Sequence, residues 1–150
     1  MAIETTVAAT RVWVVLAKSY KAMAVFVEQR VSQQGLGLSD FMVLEVLLHK
    51  GPLTISAIGE KVLLANASMT SAIDRLEAKE LVVRRSTKKD RRIRRVELTS
   101  KGERFIAEIY ERHQAEIESL MSVLSPEEQT SLHASLKKIG LAAAAANEHG

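Results

Sequence analysis

The hydrophobic period of the chain changes in one short segment, residues 81–99, and this change limits the folds that the chain can adopt. On both sides of the segment apolar residues recur at helical spacing. Inside it, two runs rich in β-branched residues cover 81–86 and 93–99, and in the second run Val96 and Leu98 alternate with Arg95 and Glu97. The pattern predicts a mainly α-helical fold with one small β-hairpin.

Four helices are expected before the hairpin. The first covers about residues 8–33 and has a wide apolar surface, which indicates more than one packing partner. The second is "LSDFMVLEVLLHKGP" with Ser39 as its N-cap, and the third is "TISAIGEKV" with Thr54 as its cap. The fourth, "NASMTSAIDRLEAKE", is expected to begin at a cap on Asn66. It separates an apolar face from a polar one.

Two helices are expected after the hairpin. The first begins at "TSKGE", where Ser100 and Glu103 match a capping box, and it runs to about Leu124. The last begins at "SPEE", with Ser125 as N-cap. The middle of the chain is thus a short helix, a polar-faced helix and a hairpin. This order predicts a winged helix-turn-helix.

Positive charge is concentrated in the hairpin. Residues 84–101 hold nine Lys or Arg and two acids, a net +7, whereas the whole chain is +3 and the remainder is therefore −4. An isolated charge run is usually a solvated loop, but here two β-rich segments hold it. Such a tip can follow a phosphate backbone or place an arginine in a minor groove. The predicted contacts are Lys88, Lys89, Arg91 and Arg92, with Asp90 orienting a neighbouring guanidinium.

The polar face of the fourth helix offers short hydroxyls and one guanidinium. A helix that lies in a major groove must bury one side and present such groups on the other. An ordinary solvated face has the same composition, so the short helix before it and the basic hairpin after it favour the DNA-reading interpretation. The predicted reading residues are Ser68, Thr70, Ser71 and Arg75.

Several classes of protein are disfavoured by composition. The chain has no cysteine, no histidine pair at metal-ligand spacing and no nucleophile motif, so we expect neither an enzyme nor a metal or cofactor site. No apolar run approaches the roughly 20 residues of a membrane span, and the N-terminus does not read as a signal peptide. A cytoplasmic location is expected. Trp13, Tyr20 and His113 are weak candidates for a ligand site, since each also suits packing.

The segment "DRRIRRVELTSKG" follows the pattern D-x-R-x5-L-T-x-x-G, and "SMTSAIDRLEAKELVVRR" stands upstream of it. Together they resemble the MarR family of bacterial winged-helix regulators. The resemblance implies a homodimer joined by helices in 1–35 and 103–146, a DNA-binding lobe in 38–102, and repression from a palindromic operator. It also implies a crevice for a small phenolic or carboxylate effector.

One departure from the family pattern concerns the end of the fourth helix. The family has "K-G-L" there, whereas this chain has "KEL" with Glu80. Glutamate is disfavoured in the left-handed conformation that ends many helices. The end of the helix and the angle of the wing are therefore left open.

Two other functions remain open from the residues. The basic hairpin could dock an acidic protein in an interaction module that does not bind DNA. The chain could also be a winged-helix RNA binder, although few exposed aromatic residues near the hairpin are available to stack on unpaired bases.

Overall fold

The computed structural model describes residues 6–62, 68–86 and 88–150. It confirms the mainly α-helical fold with a small antiparallel sheet. The elements, in chain order, are α1 Ala9–Ser32, α2 Leu38–Lys50, β1 Leu53–Thr54, α3 Ile55–Lys61, α4 Met69–Ala78, β2 Val82–Ser86, β3 Arg94–Leu98, α5 Ser100–Met121 and α6 Pro126–Glu148. The chain divides into two compact units, Met1–Glu111 and Arg112–Gly150.

The first unit builds its core between α2, α3, α4 and the sheet. The strand order is β1–β3–β2, and Val96 at the centre is paired with Leu53 on one side and Arg84 on the other. Val96 is fully buried while Arg95 is exposed, as the alternation predicts. The largest fully buried side chains are Phe41, Leu44, Ile58, Ile73, Leu76, Ile106, Val43, Val82 and Val96. The apolar face of α4 is thus fixed against the lobe, and its opposite face is left to solvent.

Several helix starts differ from the predictions by one or two residues. The prediction of Ser39 as a cap is wrong, because α2 begins at Leu38 with Gly37 in the cap position and no side-chain cap. Asn66 lies outside the described residues, and α4 begins after Ser68, whose Oγ accepts from the Ser71 N–H at 3.5 Å. The caps predicted at Thr54 and Ser125 are confirmed.

The start of α5 is also one residue earlier than the capping box predicts. Thr99, not Ser100, supplies the side-chain oxygen: its Oγ1 accepts from the Gly102 N–H at 3.0 Å. The same hydroxyl donates to the Glu80 carbonyl at 2.6 Å. Thr99 therefore ties the start of α5 to the turn that ends α4.

Glu80 adopts the left-handed backbone that the family pattern assigns to glycine. Its φ is 61°. Among the residues that the structure describes, no other residue except glycine has a positive φ. The Glu80 N–H donates to the Glu77 carbonyl at 2.9 Å, and the Leu81 N–H donates to the Leu76 carbonyl at 3.0 Å. This pair of bonds is a Schellman motif. The end of α4, which the sequence left open, is thus the one that glycine would give.

The helices outside the lobe leave large apolar side chains exposed. In the first unit these lie on α1 and include Trp13, which is 67% exposed. In the second unit α6 buries no residue, so its expected inner face, Leu132, Leu136 and Ile139, is exposed in the single chain. Among the described helices, none has a stretch apolar and long enough to traverse a bilayer.

Candidate nucleic-acid interface

The predicted reading face of α4 is exposed along its length. Ser68, Thr70 and Ser71 all lie at the surface at the start of the helix. Ser68 caps the helix through a long bond from the Ser71 N–H, and Thr70 and Ser71 are exposed beside it. Met69, at the same end, lies partly buried against the core. The separation of faces predicted from the sequence is confirmed.

Arg75 lies on the same polar side of α4 and is held by Asp40 at the start of α2. Nη2 of Arg75 is 2.8 Å from Oδ1 of Asp40, and Nε donates to Oδ2 at 3.3 Å. The hydrogen bond and the charge of Asp40 raise the pKa of Arg75. The side chain of Asp40 is 6% exposed and that of Arg75 is 49% exposed. Sequence reasoning missed Asp40, which looks like an ordinary acid in the first turn of a helix.

A second ion-pair cluster joins α4 to the base of the wing. Arg84 on β2 donates from Nη2 to Asp74 Oδ1 at 2.6 Å and from Nη1 to Glu77 Oε1 at 2.8 Å. The Arg84 N–H also donates to Glu77 Oε2 at 3.3 Å. The hydrogen bond to Asp74 and the two negative charges raise the pKa of Arg84 against its desolvation. Arg84 therefore neutralises the acids of α4 and links the two elements that are expected to meet DNA.

The tip of the wing is basic and exposed. Lys88, Lys89, Arg91 and Arg92 all lie at the surface. Asp90 accepts on Oδ1 from the backbone N–H of Arg92 at 2.9 Å, and its own carbonyl accepts from the Ile93 N–H at 3.2 Å. An aspartate that bonds the backbone two residues on closes a tight turn. Asp90 thus acts on Arg92 through the turn, and its effect on the guanidinium stays a prediction.

Strand β3 adds two further cations that the prediction of the site did not include. Arg94 and Arg95 are exposed, and cross-strand pairing places them opposite Ser86 and Arg85. Arg85 is ion-paired with Glu97. Alternation along β3 puts Arg94 on the same face as Arg84, the face that meets α4. In the sequence, the number of charges in the segment could have indicated these two cations. Only the pairing register of β2 and β3 shows which face of the sheet each one occupies.

The three predicted ligand residues are not brought together within one unit. Trp13 and Tyr20 are exposed on α1, in the first unit, whereas His113 is half-buried on α5 in the second. The second unit has an open depression of about 390 Å³ beside the turn between α5 and α6. It is lined by Leu124, Glu127, Glu128, Ser131 and Leu132. None of the predicted ligand residues lines it.

Comparison with known proteins assigns the fold to a family. Residues 36–93 match the model described as MarR family. The HTH-type transcriptional regulator MhqR of Bacillus subtilis is 37% identical over 131 residues, which cover 87% of this chain and 90% of MhqR. The chain belongs to the MarR family. Its relatives are transcriptional regulators and not enzymes, so the predictions of the family and of a non-enzymatic protein are confirmed.

Solved structures share the fold of this MarR-family chain. AbsC of Streptomyces coelicolor, a MarR family transcriptional regulator, superposes with a TM-score of 0.81 at 21% identity, covering 93% of this chain and 98% of AbsC. BpsR of Bordetella bronchiseptica superposes with a TM-score of 0.76 at 23% identity, covering 87% of this chain and 98% of BpsR. The BpsR structure concerns regulation of its DNA binding by 6-hydroxynicotinic acid.

Proposed function

We propose that this MarR-family regulator binds a palindromic site in double-stranded DNA as a homodimer and represses transcription there. The observation that carries the proposal is the pairing, within one compact unit, of an exposed hydroxyl face on α4 with a basic wing. Arg84 joins these two elements directly. A recognition helix in the major groove and a wing in the adjacent minor groove would use them together.

Homodimer formation is supported by the apolar surface left outside the lobe. On α1, Val12, Val14 and Val15 are 46%, 45% and 63% exposed, and on α6 Leu141 is 63% exposed. Monomeric proteins seldom expose contiguous apolar surfaces of this kind. A two-fold dimer would present two α4 helices to two half-sites of a palindrome. Light scattering at micromolar concentration is expected to give twice the chain mass, and a folded monomer would contradict the proposal.

Sequence-specific DNA binding is tested by selecting bound duplexes from a random pool. We expect one palindromic sequence to be enriched, and its affinity to fall steeply with salt because lysines and arginines displace counterions from phosphates. Single-stranded RNA and an acidic protein surface serve as competitors. Displacement of the duplex by RNA, or binding to an acidic protein with no preferred duplex, would instead support one of the two other functions.

Release by a small phenolic or carboxylate effector completes the proposal. The support is the family membership and the regulation of BpsR by a small hydroxylated carboxylic acid. Trp13 is the single tryptophan of the chain and is largely exposed, so its emission is a direct probe of α1. In a screen of such compounds, a true effector should change Trp13 fluorescence and weaken DNA binding over the same concentration range. A coupling of about 1–3 kcal/mol is typical.

A further inference from the structure

The Asp40–Arg75 pair differs from a simple stabilising ion pair in how its two partners are placed. Within residues 6–62, 68–86 and 88–150, Asp40 is the one charged residue that is buried. Its partner is half exposed on the polar side of α4. A buried carboxylate is stable only when a hydrogen-bond donor is bound to it. Because Arg75 supplies that donor from the surface, its guanidinium is held in one orientation. The pair therefore fixes a group that points outward.

The geometry of the pair leaves part of the guanidinium open. An arginine has five N–H donors in a rigid planar fork. Nε and Nη2 of Arg75 each donate to one oxygen of Asp40, so the carboxylate takes the side edge of the fork. The donors that remain are on Nη1 and on the outer side of Nη2. These two nitrogens form the end of the fork, which can span O6 and N7 of guanine.

We propose that Asp40 is a positioning residue for sequence reading, which holds Arg75 by its side edge so that the end of its fork meets a base edge. The proposal rests on the DNA binding proposed above. It assigns a part of the specificity to a residue in α2 that is itself too buried to touch DNA. Without Asp40 the long Arg75 side chain would sample many rotamers and would bind phosphates as readily as bases.

A second hydrogen bond joins α4 to the chain just before α2. Nζ of Lys79, at the end of α4, donates to the Gly35 carbonyl at 3.4 Å. Gly35 precedes α2 by three residues. The helix α4 is thus tied through Arg75 to the first turn of α2 and through Lys79 to the α1–α2 connection. The position of α2, which carries Asp40, is thus fixed relative to α4, which carries Arg75.

The test compares the affinity for the preferred duplex with that for a random duplex of equal length at one salt concentration. Asp40→Asn keeps the shape of the side chain but removes its charge and one acceptor. Arg75→Lys keeps a positive partner for Asp40 but removes the fork. Each substitution should lower the preference by roughly 5- to 150-fold, the range for one bidentate base contact. Binding to the random duplex should stay within about twofold, since no phosphate contact is lost.

A matched control and a conservative variant separate positioning from charge. Glu45→Gln removes the same charge from α2 but leaves Asp40–Arg75 intact, so the preference should persist. Asp40→Glu keeps the carboxylate and should retain more of the preference than Asp40→Asn. In an Arg75→Lys background, Asp40→Asn should produce no further loss of preference, because the group that it positions is already gone.

Several results would overturn the proposal. Equal losses on both duplexes would mean that Arg75 meets a phosphate, and an unchanged preference in Asp40→Asn would leave the pair a structural contact. If circular dichroism shows that Asp40→Asn does not fold, Arg75→Lys decides: a retained preference would reject the reading role. A wild-type protein with no preferred duplex would reject the proposed function itself. A clear wild-type preference that no variant changes would reject the roles of Asp40 and Arg75 but leave the proposed function standing.

Discussion

Replacing Glu80 by glycine should make the folded protein more stable. Glu80 ends α4 with φ at 61°, a conformation that costs an L-residue with a Cβ about 1–2 kcal/mol relative to the right-handed region. Glycine removes this strain but gives the unfolded chain more freedom, which offsets about 0.4–1 kcal/mol. The Glu80 carboxylate contributes little, because Lys101 is 3.9 Å away and both side chains are mostly exposed. The net gain is therefore about 0.5–1 kcal/mol.

The gain should appear as a rise of about 2–3 °C in the midpoint of thermal unfolding for a chain of this size. Circular dichroism at a fixed protein concentration measures it, since the proposed dimer would make the midpoint depend on concentration. Glu80→Ala is the matched control. It removes the carboxylate but keeps the Cβ, so it should leave the midpoint nearly unchanged.

The opposite substitution at two other turns gives an independent measure of the same strain. Gly35 and Gly51 have φ of 77° and 74°, and a Cβ at either position would meet no atom within 4 Å. Their replacement by alanine therefore tests backbone strain without a clash. Gly35→Ala should destabilise the protein by about 1 kcal/mol. Gly51→Ala should cost more, on the order of 1–3 kcal/mol, because the ψ of −162° at Gly51 lies in a region that is essentially restricted to glycine. The reasoning is refuted if Gly35→Ala and Gly51→Ala lower the midpoint while Glu80→Gly does not raise it.

Three further variants test the packing of α5 beside the sheet and the charge of the wing. Gly102→Ala should destabilise the protein by at least about 2–3 kcal/mol in urea unfolding, because the new Cβ would lie 1.9 Å from the Leu81 carbonyl oxygen. Arg84→Met should cost about 1–2 kcal/mol in the same assay, since it leaves two half-exposed carboxylates without their donor. Arg91→Ala combined with Arg92→Ala should flatten the slope of log K against log salt by up to about 3–4 units per dimer.

Controls for these substitutions lie elsewhere in the chain. Gly140→Ala in α6 adds a Cβ into open space and should stabilise the protein by about 0.5–1 kcal/mol. Arg85→Ala breaks only an exposed pair and should change stability by less than about 0.5 kcal/mol. Lys137→Ala with Lys138→Ala removes the same charge as the wing variant but from α6, in the other unit. A salt slope that falls equally in both double variants would argue against phosphate contacts at the wing.

The parts of the fold that follow from local patterns were predicted well. The bounds of α1 and of both hairpin strands agree with the prediction to within one residue. The spacing of apolar residues along the sequence is enough to distinguish a helix from a strand. Helix starts were predicted less well. Ser39 and Ser100 are plausible caps, but Gly37 and Thr99 occupy those positions. Neighbouring polar residues offer nearly equal caps, and the packing of the helix against the core selects among them.

For the candidate site, the sequence predicts which types of residue are exposed but not which of them contact one another. Exposed hydroxyls on α4 and cations at the wing tip follow from face and charge. The pairing of Asp40 with Arg75 joins residues 35 positions apart, and no periodicity or motif connects them. Glu80 is a similar case. Local preference opposes its backbone conformation, yet the Leu81 side chain is 3% exposed, and its burial favours the turn that Glu80 must make.

The distribution of ion pairs indicates which part of the basic segment is available for the proposed DNA binding. Arg84 is held by the two acids of α4, and Arg85 is held by Glu97 within the sheet. For the cations farther along the hairpin, the described part of the chain shows no side-chain partner: these are Lys88, Lys89, Arg91, Arg92, Arg94 and Arg95. The arginines at the base of the wing therefore neutralise acids that would otherwise repel phosphates. Those at the tip and on β3 have no ion-pair partner among the described residues. The base of the wing therefore stabilises the fold, and the DNA binding proposed above would depend on its outer part.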